Sequence, residues 1–248
     1  MYSFLLIGQS NAAGRGFPHE VSVLDNDRLF VQRNGKWRPM YTPVNPDRKS
    51  SGISLAESFA YFCARHYNTD IGIIPCADGG SRLDQWLPGE ALFDHAVFQA
   101  KLAQRSSQIA GVLWHQGESD SKADLYASYE EKCTHIFEAL QKSLALGPDV
   151  PFLMGELGSY LSDWEGPEIG TYYPEINKAI SSMAKKNRYI GLVSAKGLSS
   201  NPDNMHFNAA SLRDFGERYF LKFITMSNLA PVNAKMNHQI VEGELEHL

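Results

Sequence analysis

The sequence predicts an α/β chain in three layers, an α/β/α sandwich whose central parallel sheet has five strands and helices on both faces. Two observations carry this. Short apolar runs of strand length recur along the chain, and between them lie longer segments whose apolar residues repeat at helical spacing. With 248 residues and 43% hydrophobic side chains, the chain is long enough for one large core and short for two. Residues 1–227 are therefore expected to form a single domain, and residues 228–248 a tail with no clear period.

Residues 2–7 read as the first strand, apolar toward both faces as in the middle of a parallel sheet, and Gly8 ends it. A tight turn is expected from Asn11 to Gly16. Leu29–Arg33 and Lys36–Met40 flank Asn34-Gly35, a pair suited to a type I′ turn, so a surface β-hairpin is expected near 28–40. Ser54 and Glu57 have capping-box spacing, and Leu55, Phe59 and Phe62 start a helix that runs to about Tyr67. Ile71–Pro75 is the second core strand and opens into Asp78-Gly79-Gly80-Ser81, a glycine turn. A helix follows from Ala91 to Ser107, with Phe93, Ala96, Ala100 and Ala103 on one stripe.

Gly111–Trp114 is the third core strand, followed by a helix from Ala123 to Leu146 that Gly147-Pro148 stops. Phe152–Leu157 and Tyr189–Ser194 supply the fourth and fifth strands. Tyr173, Ile176, Ile180 and Met183 mark the helix between them, and Leu212, Phe215, Tyr219 and Phe223 mark the last, capped by Asn208. In such a sheet, ligands bind beyond the carboxyl ends of the strands. The polar clusters at Ser10, at Asp78 to Ser81, at His115 to Asp120 and at Asp203 to His206 all follow strand ends.

Composition narrows the function. A net charge of −5 with no basic run argues against a nucleic-acid partner, because such proteins neutralise phosphates with clustered Lys and Arg. No apolar stretch reaches the ~18 residues of a membrane span. Tyr2–Ile7 is too short for a secretory signal and lacks its basic flank. A cytoplasmic chain with no membrane partner is expected. The three cysteines are far apart and do not suggest a disulfide framework; Cys63 and Cys133 fall on apolar helix faces, and Cys76 lies at a strand end without an evident basic partner.

Ser10, just past the first strand, is the candidate nucleophile. A serine hydroxyl needs a base to take its proton and a third group to orient that base. His206, after the last strand, is the candidate base. Asp203, three residues earlier, can accept from its Nδ1, although an Asp-x-x-His pair alone also serves as a surface cap before a helix. Acyl transfer further needs donors aimed at the oxyanion, each worth on the order of 3 kcal/mol of barrier. The backbone amides of Ser10 and of the Gly79-Gly80 turn qualify, and the Gln116 side chain can add another. In extended geometry Gln116 and Glu118 point the same way, so one strand end could aim both into the site.

Gly8-Gln9-Ser10-Asn11, then Pro75 to Ser81 with Trp86 beyond it, then Trp114 to Asp120, and finally Asp203-x-x-His206 resemble the ordered blocks of the SGNH/GDSL hydrolases. More narrowly they resemble the carbohydrate acetylesterases of carbohydrate esterase family six and the sialate O-acetylesterase-like domains, over residues 3–220. The resemblance implies a flavodoxin-like sandwich that hydrolyses O-acetyl esters of mono- or oligosaccharides without a metal or other cofactor. Ser10 would be the nucleophile and His206 the base. Ser10, Gly79 and Gln116 would form the oxyanion hole, and either Asp203 or Glu118 would orient the histidine. Gln9, Asn11, Arg15, Gly80 and Trp86 are the candidate substrate contacts. Ala12 stands where these enzymes often carry methionine, and Asp78 to Arg82 replaces a commoner Gly-Gly-Thr pattern. Both departures spare the catalytic groups and bear on substrate preference.

Other readings compete. A thioesterase or small lipase of the same fold would want an apolar acyl groove, whereas Trp86, Trp114 and Arg15 suit a sugar. A sugar-binding module without catalysis would not need Ser10, His206 and two acids together. The nucleophile elbow of α/β-hydrolases follows several strands, and here one precedes the serine. A metal hydrolase would show clustered ligands such as His-Glu-x-x-His, and His115-x-x-Glu118 alone is a poor substitute.

Overall fold

The computed structural model describes residues 1–166 and 170–229, so the tail from 230 onward lies outside the described residues. Seven strands form one sheet: β1 (Tyr2–Gly8), β2 (Leu29–Arg33), β3 (Lys36–Pro39), β4 (Ile71–Pro75), β5 (Gln108–His115), β6 (Phe152–Gly155) and β7 (Ile190–Val193). Their order is β3-β2-β4-β1-β5-β6-β7. All neighbours are parallel except the β2–β3 pair.

Five of these strands are the expected core. The hairpin corrects the expectation of a surface insertion, because β2 pairs in parallel with β4 and makes the hairpin the edge of the main sheet. The physical reason is burial: Leu29 and Val31 lie on the covered face at 5% and 0% exposure, which an isolated hairpin could not provide. Its turn is as expected, with Asn34 and Gly35 both at positive φ, 49° and 69°.

The described residues also form six α-helices: α1 (Ser10–Ala13), α2 (Leu55–Tyr67), α3 (Ala91–Ala103), α4 (Tyr129–Ser143), α5 (Tyr173–Lys186) and α6 (Ala209–Met226). Alternation along β5 separates the layers. Trp114 sends its ring to Phe137 of α4, 5.3 Å away, while the next residue, His115, meets Phe215 of α6 at 5.6 Å on the opposite face. On the α2/α6 face, Phe4 of β1 packs edge-on against Phe59 and Phe223 at 4.7 and 5.0 Å. Burying each such ring stabilises the fold by roughly 1.5–3 kcal/mol.

Several boundaries differ from expectation. The turn after β1 is a short helix that starts on Ser10 itself. Helix α4 begins at Tyr129 rather than Ala123, because residues 126–128 form a 3₁₀ turn and the buried stripe starts only with Tyr129. Helix α3 stops at Ala103, and β5 takes up the chain from Gln108. The consequence for the site is topological. From β1 the chain builds outward through β4 on one side and β5 on the other, so the strand order reverses at β1 and opens a crevice at its carboxyl end. Ser10 stands there. Among the described residues, no helix is long and apolar enough to cross a membrane.

Candidate active site

The place of Ser10, the candidate nucleophile, is set by a glycine. Gly8 adopts φ +124°, and a Cβ there would lie 2.1 Å from the His115 carbonyl oxygen, so only glycine lets the end of β1 close on the end of β5. Gln9 N–H donates to that same carbonyl at 2.9 Å. The chain then enters α1, with Ser10 as its first residue and 6% exposed.

His206 arrives from the loop between β7 and α6. Its Nδ1 lies 2.7 Å from Asp203 Oδ2 and its Nε2 lies 2.9 Å from Ser10 Oγ. With the carboxylate accepting, Nδ1 carries the proton and the Nε2 lone pair faces the serine hydroxyl. Asp203 Oδ1 accepts from the N–H groups of Met205 and His206 at 2.9 and 3.0 Å, which folds the loop around the carboxylate. Burial pushes the Asp203 pKa up, but the hydrogen bonds from the His206 ring and these two amides outweigh it and hold the acid below its ordinary value.

Two of the candidate oxyanion donors, Gly79 and Gln116, have partners of their own. Gly79 N–H donates to Asp47 Oδ2 at 2.8 Å, so that amide is already engaged. Gly80 is exposed at φ +77°, its N–H has no protein acceptor among the described residues, and the space where a Cβ would stand is open to 4 Å. Gln116 is fully buried; its Nε2 donates to the Ser81 carbonyl at 3.2 Å and to Asp120 Oδ2.

Asp47 is a residue that sequence reasoning missed. It makes a two-pronged pair with Arg15 at 3.0 and 2.7 Å, both side chains 6% exposed, and also accepts from Ser51 Oγ at 2.8 Å. Burial raises the Asp47 pKa, and the bonds from Arg15, Ser51 and Gly79 more than reverse it. The only signal in the chain was Arg15 itself, a charge in a glycine-flanked turn that needs a partner.

Other expected contacts serve the frame. Arg15 is held in that ion pair rather than presented to a ligand. Trp86 is fully buried against Trp114 at 5.8 Å and donates from Nε1 to Ser81 Oγ at 3.0 Å, so it offers no face to a sugar. Gln9 Oε1 accepts from Gly117 and Ser119 N–H at 3.3 and 3.2 Å. Asn11 and Glu118 are buried and bonded to each other, with Asn11 Nδ2 donating to Glu118 Oε1 at 2.5 Å. Glu118 also lies 3.6 Å from His115 Nδ1, whereas the His206 ring has Asp203 as its acid. Burial sets the thiols aside: Cys63 and Cys133 are pushed well up, and Cys76 to about 12.

The chain has relatives. A probable carbohydrate esterase of Arabidopsis thaliana is 27% identical over 238 residues, 86% of each chain. The X-ray structure of an Arabidopsis thaliana protein superposes with a TM-score of 0.80 at 24% identity, covering 90% of this chain and 98% of that one. The crystal structure of NanS superposes at 0.70 with 18% identity, covering 90% and 96%. A lipase/acylhydrolase from Enterococcus faecalis shares the fold at 0.57 with 11% identity, covering 94% and 99%. Residues 1–225 match the family described as carbohydrate esterase, sialic acid-specific acetylesterase, so the chain belongs to that family and is a hydrolase of carboxylic ester bonds.

Proposed function

We propose that the chain removes O-acetyl groups from acetylated mono- or oligosaccharides through an acyl-enzyme on Ser10, with residues 1–227 acting as one domain. The observation that carries this is the continuous line from Asp203 through His206 to Ser10, 2.7 and 2.9 Å per step, at the point where the strand order reverses. Ser10 Oγ attacks the acetyl carbonyl carbon while its proton passes to His206 Nε2. Asp203, held ionised by its hydrogen bonds, stabilises the imidazolium. The C–O bond to the sugar then breaks, and the sugar oxygen leaves with the proton from Nε2. Water, deprotonated by the same nitrogen, attacks the acyl carbon; the bond to Ser10 Oγ breaks, Nε2 returns the proton to Oγ, and acetate leaves.

The oxyanion donors are the Ser10 N–H and, in place of Gly79, the Gly80 N–H. The occupied Gly79 amide and the open space before Gly80 support this reading. Asp47 and Arg15 brace the turn that carries it. The three free, buried thiols support a cytoplasmic location. Acetate release from acetylated xylo-oligosaccharides and from O-acetyl sialic acid tests the substrate class. Release faster than from butyryl or longer esters is expected; the opposite ranking would return the thioesterase or lipase reading.

A further inference from the structure

The peptide groups on either side of His206 are both held by one side chain, and that side chain is the neighbour of the nucleophile. Asn11 Nδ2 donates to the Met205 carbonyl at 3.2 Å, and Asn11 Oδ1 accepts from Phe207 N–H at 3.0 Å. The remaining Nδ2 hydrogen goes to Glu118 Oε1 at 2.5 Å. Asn11 is 0% and Glu118 1% exposed. Glu118 in turn opens the 3₁₀ turn Glu118–Asp120, and the amides on either side of it, of Gly117 and Ser119, donate to Gln9 Oε1.

We propose that Glu118 and Asn11 form a yoke that sets the distance between Ser10 and His206, so that Glu118 is a positioning residue acting through Asn11. The inference rests on the serine-esterase reading for its effect on rate. Ser10 and Asn11 are consecutive in α1, so whatever Asn11 holds is held relative to Ser10 Oγ. An amide is needed because one end must donate to Met205 O while the other accepts from Phe207 N–H. Flipping the amide would set two donors face to face at Phe207. Glu118 Oε1, accepting from Nδ2, selects the productive orientation. Its other oxygen has no hydrogen-bond partner among the described residues, so an amide nitrogen in its place breaks no bond.

This separates Glu118 from a direct acid partner of His206. A direct partner works through its charge, and Glu118→Gln would then fail as Asp203→Asn does. A yoke works through an acceptor oxygen, which glutamine keeps.

The test measures p-nitrophenyl acetate kinetics for Glu118→Ala, Glu118→Gln, Asn11→Asp and Asp203→Asn, alongside NMR of the His206 ring in ¹⁵N-histidine protein. Asn11→Asp keeps the shape and loses the donor. It is expected to lower kcat about 100-fold with little change in KM, the scale of a 1 Å misplacement. Glu118→Ala is expected to fall similarly, and Glu118→Gln to recover most of that loss. The Nδ1–H resonance of His206 should persist in Glu118→Gln and broaden or vanish in Asn11→Asp. Equal loss in Glu118→Gln and Asp203→Asn, or an unchanged His206 resonance in Asn11→Asp, overturns the proposal. If the parent protein shows no Ser10-dependent hydrolysis, the esterase mechanism fails by itself, and the NMR comparison still decides the yoke.

Discussion

The segments 203–206 and 115–120 both bring an acid to the carboxyl edge of the sheet, and they bring it in opposite states. Asp203 has a 44% exposed side chain and bonds within its own loop, to residues two and three positions away. Glu118 is 1% exposed, and its side-chain hydrogen bond to Asn11 spans 107 positions of sequence. A short local bond at the surface suits a group whose charge responds when the imidazole takes a proton. A buried long-range bond suits a frame. The difference teaches that two acids in matching blocks can be told apart by what each one holds in place.

Variants can break or sharpen that contrast. The largest effect is expected from Ser10→Ala, which should lower kcat on p-nitrophenyl acetate by about 10⁴-fold or more while the melting temperature stays near that of the parent. Next comes Asp203→Asn, with kcat falling about 10²–10⁴-fold through loss of the oriented Nδ1 proton. Unchanged kcat in that variant would dissolve the line and move the acid role elsewhere.

Frame residues should register in stability instead. Asp47→Ala leaves Arg15 buried without its partner and is expected to cost about 3–5 kcal/mol in denaturant unfolding. The pH dependence follows from the sign of the shift. Asp47 is held below its ordinary value in the folded protein. Its contribution is therefore present above the unfolded carboxyl pKa, ~3.9, and is lost as pH falls through the lower folded value. The stability gap between the parent and Asp47→Asn should be open at neutral pH and close only in strong acid. A gap that closes between pH 6 and 7, on the order of the ordinary histidine range, would point to a different titrating group. The smallest change is expected from Trp86→Phe, which removes the bond to Ser81 Oγ and leaves a small cavity in the core, and should cost about 2 kcal/mol. A large rise in sugar KM there would instead restore Trp86 as a substrate contact.

How much was legible in the sequence depends on the range of each interaction. β1, β4 and β5 and the polar residues at their ends were readable, because burial on both faces and abrupt glycine stops are written locally. Asp203-x-x-His206 was readable for the same reason: its key bond is three residues long. The hairpin was readable as a hairpin but not as a sheet edge, since its pairing with β4 joins segments about forty residues apart, as Leu29↔Ile71 does. Asp47 was not readable, because its partners Arg15 and Gly79 lie 32 positions away on either side. Trp86 was read as a substrate contact from its nearness to the glycine turn, and the structure places it in the core. Its spacing from Leu83, buried with it in one 3₁₀ turn, marked it as core.

The central claim, that Ser10 becomes acylated and His206 then clears it, is tested most directly by intact-mass and peptide spectrometry of enzyme quenched while turning over p-nitrophenyl acetate. The account predicts a mass gain of one acetyl group, located on Ser10 in the parent, accumulating further when deacylation is slowed in Asp203→Asn, and absent from Ser10→Ala. Turnover with no acetyl group on Ser10 under any of these conditions, or an acetyl group that persists in Ser10→Ala, would contradict it.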